Sequence, residues 1–150
     1  MIHVALWEPE IPPNTGNVAR LCAAIGSPLH LIGRLGFRLD DRDLRRAGLD
    51  YWSAVKLYRH DSLEAFESAH SGRIFYLSAH ATVVYTQMKC HDGDCLLFGS
   101  ETRGLPPDVL KRHADRTFVI PMPTGKVRSL NLATAVGIVL YDALRQVNGW

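Results

Sequence analysis

An alternation of short apolar runs with helical segments constrains the fold most. Apolar runs occur at Ile2–Trp7, Leu29–Ile32, Arg73–Ser78, Cys95–Phe98 and Thr117–Ile120, and a weaker one at Val55–Tyr58. Their length suits strands rather than helices. After the first run, Glu8-Pro-Glu-Ile-Pro-Pro cannot continue a central strand. Val18, Leu21, Cys22 and Ile25 then recur at helical spacing until Gly26, and Asn14 or Asn17 can cap that helix. Ser62–Ala69 reads as another helix, and Pro106-Pro107 open a third, running to about His113. A last helix beginning at Ser129 has Leu132, Val136, Val139, Leu140, Ala143 and Val147 as its buried stripe. In the charged stretch after Gly33, Asp40 or Asp41 can start a short helix and Gly48 can stop it. Residues 79–91 fit no single class. This order predicts an α/β fold with a mostly parallel sheet covered by helices on both faces.

The chain has 150 residues, enough for one domain spanning 1–150. Apolar residues make up 47% and charged residues 21%, the balance of an ordinary globular protein. A net charge of +2 does not by itself indicate a nucleic-acid partner, though a local patch can supply one. Cys22, Cys90 and Cys95 cannot all pair within one chain. No signal peptide and no membrane-spanning run is evident, so the expected location is cytoplasmic, with reduced thiols and no membrane association.

Ligands of parallel sheets bind beyond the carboxyl ends of the strands. Three unusual loops follow strand ends: Glu8–Asn17, Gly99–Pro106 and Pro121–Ser129. No Gly-x-Gly-x-x-Gly follows the first strand, which argues against an ordinary dinucleotide site. The segment PTGKVRS lacks the glycine spacing of a phosphate loop. Gly99-Ser100-Glu101 is not a nucleophile elbow. Cys90, His91 and Cys95, with His80 nearby, lack the paired spacing of a zinc module, so no metal is expected.

The stretches NTGNVAR, LLFGSETRGLP and IPMPTGKVRSLNLATAVGIVLYD resemble, in order, the three motifs of the SPOUT class of methyltransferases. LWEPEIPPNTGN and DLRRAGLDYW further resemble the minimal tRNA (cytidine/uridine-34)-2'-O-methyltransferases. The resemblance covers roughly residues 3 to 145. It implies a deep C-terminal trefoil knot, an exception to the rule that chain connections are unknotted. It also implies S-adenosyl-L-methionine as cofactor, tRNA as substrate and a homodimer with the active site near the subunit boundary.

The same resemblance places the cofactor against Leu77, Gly99, Glu101, Ile120, Met122, Ser129 and Leu130. Gly99 would allow close approach, while Leu77 and Ile120 would also be buried as ordinary strand residues. Glu101 either stabilises the sulfonium or orders the loop, and an Arg103–Glu101 surface pair is the alternative. Arg20 is the leading catalytic candidate, with Ser129, Asn131 and Asn14 beside it. A guanidinium stays charged, so Arg20 is expected to bind phosphate and stabilise alkoxide character rather than act as a base. Asn14 and Ser129 have a purely capping alternative.

RNA contact is expected from Arg20, Arg42, Arg45, Arg46, Lys126 and Arg128. The interleaved aspartates weaken the arginine patch, and Lys126 and Arg128 could equally face solvent. The knot loop is one residue longer than the usual subfamily form, with Leu130 and Ala133 replacing Met and Ser. No additional RNA-binding domain is expected. The implied activity is methyl transfer to the 2'-hydroxyl of the wobble nucleotide. The alternatives are another tRNA or rRNA position, or a non-catalytic knotted RNA-binding protein.

Overall fold

The strands are β1 (His3–Trp7), β2 (Leu29–Ile32), β3 (Leu57–His60), β4 (Ile74–Leu77), β5 (Cys95–Phe98) and β6 (Thr117–Phe118). The computed structural model describes residues 1–40, 42, 44, 46 and 49–150. Asp41, Arg45 and Gly48, assigned above to a helix start, an RNA contact and a helix stop, lie outside the described residues. The six strands form one sheet in the order β3-β2-β1-β5-β4-β6, and every pairing between them is parallel.

Because the side chains of a strand alternate, the register builds two cores. On one face Val4 and Leu6, Leu29 and Leu31, Phe75 and Leu77, and Leu96 and Phe98 meet helices α1 (Pro12–Ile25) and α4 (Leu132–Asn148). On the other, Ala5, Ile32, Ile74, Tyr76, Cys95 and Leu97 meet α2 (Leu63–Ala69) and α3 (Pro107–Arg112). Helices therefore cover both faces, as the alternation predicts.

Two helix starts differ from the expectation. α1 begins at Pro12, with prolines in its first positions and no side-chain bond from its N-cap, Ile11. Proline presets the helical φ and has no N–H to satisfy, so the helix starts early and encloses both Asn14 and Asn17. Neither caps it. α4 begins at Leu132, and its cap is Asn131, whose Oδ1 accepts from Thr134 N at 3.2 Å. Ser129 lies before the helix, in the irregular segment, and does not cap it. β3 lies two residues later than Val55–Tyr58, because Leu57 is the residue that pairs with Leu29. Of the expected stripe on α4, Val147 is only half-buried, and Leu144 is buried in addition.

The path after β5 decides where the site forms. β6 pairs with β4 rather than β5, so the chain crosses to the far side of β4. It then returns across the carboxyl edge to place α4 against α1 and β5. Residues 78–94 meet both ends of this detour. Val84 bridges Val119, and Cys90 N donates to Gln146 Oε1 on α4 at 3.0 Å. Among the described residues, no helix is long and apolar enough to cross a membrane.

Candidate active site

Leu77, Phe98 and Phe118 stand side by side at the carboxyl ends of β4, β5 and β6. The three unusual loops leave from this edge. Gly99 opens the β5 loop, which reverses through Gly104 at φ 65°, with Gly104 N donating to Ser100 O at 2.9 Å. A Cβ on Gly99 would sit 2.1 Å from the carbonyl carbon of Gly104. The loop's own backbone therefore requires this glycine, independently of any ligand.

The loops after β1 and β5 exchange hydrogen bonds through two glutamates. Glu101 Oε1 accepts from Glu10 N at 2.8 Å, and Oε2 accepts from Ile11 N at 2.9 Å and from Asn14 Nδ2 at 3.2 Å. A carboxylate from a distant loop thus serves the amino end of α1, which has no cap of its own. In return Glu10 Oε1 accepts from Thr102 Oγ1 at 2.7 Å and Thr102 N at 2.9 Å. Those bonds, the hydroxyl's first, hold the Glu10 carboxyl below its usual range. Asn14 Oδ1 then accepts from Asn131 Nδ2 at 2.9 Å. The chain Glu101–Asn14–Asn131 joins one residue from each of the three motifs.

Of the alternatives for Glu101, loop ordering is the arrangement observed. Arg103 does not pair with Glu101. It pairs with Glu8 at 3.2 Å and lies over the Trp7 ring at 5.0 Å. Glu8 is held at φ 46°, the only positive φ outside glycine among the described residues. Beside it, Glu8, Glu10, Arg34, Leu35, Gly36 and Arg103 line a cleft of about 370 Å³.

The residues expected to hold the cofactor surround the return path from β6. Leu77 is buried, Ile120, Met122 and Leu130 are half-buried, and Ser129 is exposed. Gly125, at φ 67°, turns the segment back, with its N–H donating to Met122 O at 3.2 Å. Half-exposed apolar side chains on this segment, beside the end of β4, suit a flat heteroaromatic ring. Lys126 and Arg128, the cations of this segment, are exposed. Apolar walls without a buried cation fit S-adenosylmethionine, which carries no phosphate.

Arg20 and Asn17 are exposed on α1. Arg20 lies six residues beyond Asn14, about 9 Å along the helix axis. Inside the helix Arg20 is an i,i+3 neighbour of Asn17, while Asn14 lies almost two turns back in the first turn of α1. Its Cζ lies 5.2 Å from the centre of the Tyr51 ring. Sequence reasoning missed Tyr51, whose only signal was its place in DLRRAGLDYW. It also missed the Glu10–Thr102 half of the loop exchange. Arg42 and Arg46 are exposed, and nearby Arg38 pairs with Asp40 at 3.0 Å.

Cys90 and Cys95 face opposite cores. Burial pushes the thiols of Cys22 to about 12 and Cys90 to about 11, which leaves them protonated and unreactive at neutral pH. A histidine cluster that the sequence reading did not find runs diagonally across one face of the sheet, from the amino end of β1 to the carboxyl end of β3. His3 Nδ1 lies 2.9 Å from His30 Nε2, and His30 Nδ1 lies 2.9 Å from His60 Nε2. His70 joins them beside a cavity of about 460 Å³. Burial, reinforced by neighbouring histidines, lowers the pKa of His3 and His60, and that of His30 to about 3. Burial also lowers that of His70. Among the described residues, no group of three or more His, Cys, Asp or Glu is placed to hold a metal ion.

Residues 1–141 match the SpoU rRNA methylase family. The tRNA (cytidine(34)-2'-O)-methyltransferase of Escherichia coli K12 is 46% identical, over 98% of this chain and 94% of its own length. A solved structure that gives insight into 2'-OH methylation of C/U34 on tRNA is 52% identical, with a TM-score of 0.94. The match covers 100% of this chain and 98% of that one. An AdoMet-bound rRNA methyltransferase from Sinorhizobium meliloti is 30% identical with a TM-score of 0.85, over 96% of this chain and 56% of that one.

Proposed function

The chain belongs to the SpoU rRNA methylase family, and from that premise we infer that it methylates the ribose 2'-hydroxyl of wobble nucleotide 34 in tRNA, using S-adenosylmethionine. The fold is that of the SPOUT class, with its C-terminal knot. The observation that carries the reading is the Glu101–Asn14–Asn131 chain, which holds the three motif loops together at the carboxyl edge. It stands with the near-complete match to proteins named for this reaction.

The bound cofactor supplies a methyl group already activated by a positive sulfur. The protein's task is to align the hydroxyl oxygen and to manage its proton, and alignment alone can contribute several kcal/mol. In our reading Leu77, Ile120, Met122 and Leu130 enclose the adenine, and the Gly99 loop and Ser129 complete that wall. Asn14 and Asn131 hold the ribose side, kept in place by Glu101. Arg20 binds the flanking phosphate and stabilises negative charge on the 2'-oxygen as the proton leaves. Exposed Arg42, Arg46, Lys126 and Arg128 contact the RNA backbone, with Arg45 in the same basic segment.

Two chains form the working unit in this reading. Arg20 stands away from the Asn14–Asn131 pair of its own chain, as expected of a site completed at a subunit boundary. Buried, protonated thiols suit a reducing cytoplasm, and a sulfonium methyl donor needs no metal. Incubation with labelled S-adenosylmethionine and, in separate reactions, total tRNA and rRNA, followed by nucleoside mapping, tests the function. The expected product is 2'-O-methylcytidine or 2'-O-methyluridine, or a derivative of either, at position 34. A methyl group elsewhere in tRNA or in rRNA would move the assignment, and binding without transfer would favour a non-catalytic RNA-binding protein.

A further inference from the structure

We propose that Tyr51 is a positioning residue for Arg20, confining the guanidinium above its ring so that the planar fork meets the RNA in one orientation. The proposal rests on the role given to Arg20 above. Arg20 projects from the exposed side of α1, and its Cζ lies 5.2 Å from the ring centre. Among the described residues, no hydrogen bond or ion pair holds that guanidinium. An arginine side chain has many rotamers, and aligning a reacting hydroxyl requires few of them. A ring face attracts a cation through its quadrupole, so it narrows the choice without consuming any of the five N–H donors.

The ring is itself anchored. Tyr51 belongs to the 3₁₀ turn Leu49–Ala54, which packs along α1. Its neighbour Trp52, together with Val55, packs against the core that α1 shares with the sheet. Tyr51 remains 40% exposed on this turn. Only the ring is needed for the contact, so the phenolic hydroxyl is dispensable.

The test compares Tyr51→Phe and Tyr51→Leu, alone and combined with Arg20→Lys. The readouts are single-turnover methyl transfer at saturating tRNA, S-adenosylhomocysteine binding and melting temperature. Tyr51→Phe should keep the rate within about twofold, and Tyr51→Leu should lower it about fivefold. Cofactor affinity and melting temperature should hardly move. With Arg20 already lysine, Tyr51→Leu should cost less than about twofold, because the two residues act as one unit. A normal rate in Tyr51→Leu beside an impaired Arg20→Lys overturns the positioning role and leaves Arg20 in place. An equal loss in both backgrounds also overturns it, since Tyr51 would then act on the RNA by itself. A near-normal Arg20→Lys removes the premise. If Tyr51→Leu melts early, Tyr51→Gln carries the same comparison.

Discussion

Asn131 Nδ2 donates to Asn14 Oδ1 at 2.9 Å, joining the cap of the last helix to the first turn of the first across 117 positions of sequence. The same Asn14 donates to Glu101. One short side chain thereby sets the spacing of all three motif loops.

Removing the carboxylate should loosen this junction before it harms the core. Glu101→Ala leaves the Glu10 and Ile11 amides without their acceptor and should cost about 1–2 kcal/mol in urea unfolding. Asn131→Ala removes a cap and should cost about 1 kcal/mol. Combining Asn14→Ala with Asn131→Ala should show a coupling of about 0.5 kcal/mol or more. Strict additivity would mean that the Asn14–Asn131 bond carries no energy.

Arg20→Lys separates a helix-surface role from a reacting one. The two residues have similar helix propensity and the same charge, so a surface role predicts little change. A lysine cannot reproduce the planar fork, so transfer should fall about 100-fold or more, of order 3 kcal/mol in the transition state. S-adenosylhomocysteine affinity should stay within about threefold. Near-normal transfer would reduce Arg20 to a weak RNA contact.

Cofactor binding is best probed at Leu130, which is half-buried and outside every helix and strand. A Gly99→Leu variant would collide with Gly104 and so report on folding instead. Leu130→Asp should weaken S-adenosylhomocysteine binding at least about tenfold by calorimetry, because a buried carboxylate against the adenine is strongly disfavoured. Unchanged affinity would remove this segment from the pocket.

The histidine cluster predicts acid sensitivity. His3, His30, His60 and His70 have pKa values in the fold below the unfolded value near 6.5. The unfolded chain therefore takes up more protons as pH falls through that value. Stability is fully present above about pH 6.5 and is lost progressively below it, towards the lowered values in the fold. The Gly93 carbonyl and, less strongly, Asp94 oppose the effect at His70, while Arg73 holds Asp94 in an ion pair. Urea unfolding from pH 7.5 to 5 should give falling free energies, and His30→Gln should flatten the slope. A flat wild-type profile would contradict the cluster.

The dimer reading predicts sedimentation at about twice the 16.7 kDa chain mass at micromolar concentration. A monomer that kept full activity at assay dilution would exclude a shared site.

Local pattern alone determined the layered sheet. Cys95–Phe98 is legible to the residue because a strand buried on both faces must be continuously apolar. Ser62 and the glycine at 26 end or start their helices through bonds and φ values that neighbours supply. The order of the strands and the detour through β6 were not legible, since periodicity says nothing about which strands pair. The motif stretches marked the site loops through a resemblance. The partner of each polar side chain in them was decided only by tertiary structure. Glu101 reaches donors 87 to 91 positions away. His3, His30 and His60 lie on separate strands and become one cluster only through the β1–β2–β3 register and the two-residue alternation of strand side chains. Contacts between distant segments carry no local signature, whereas helix starts, turns and buried strands are written in adjacent residues.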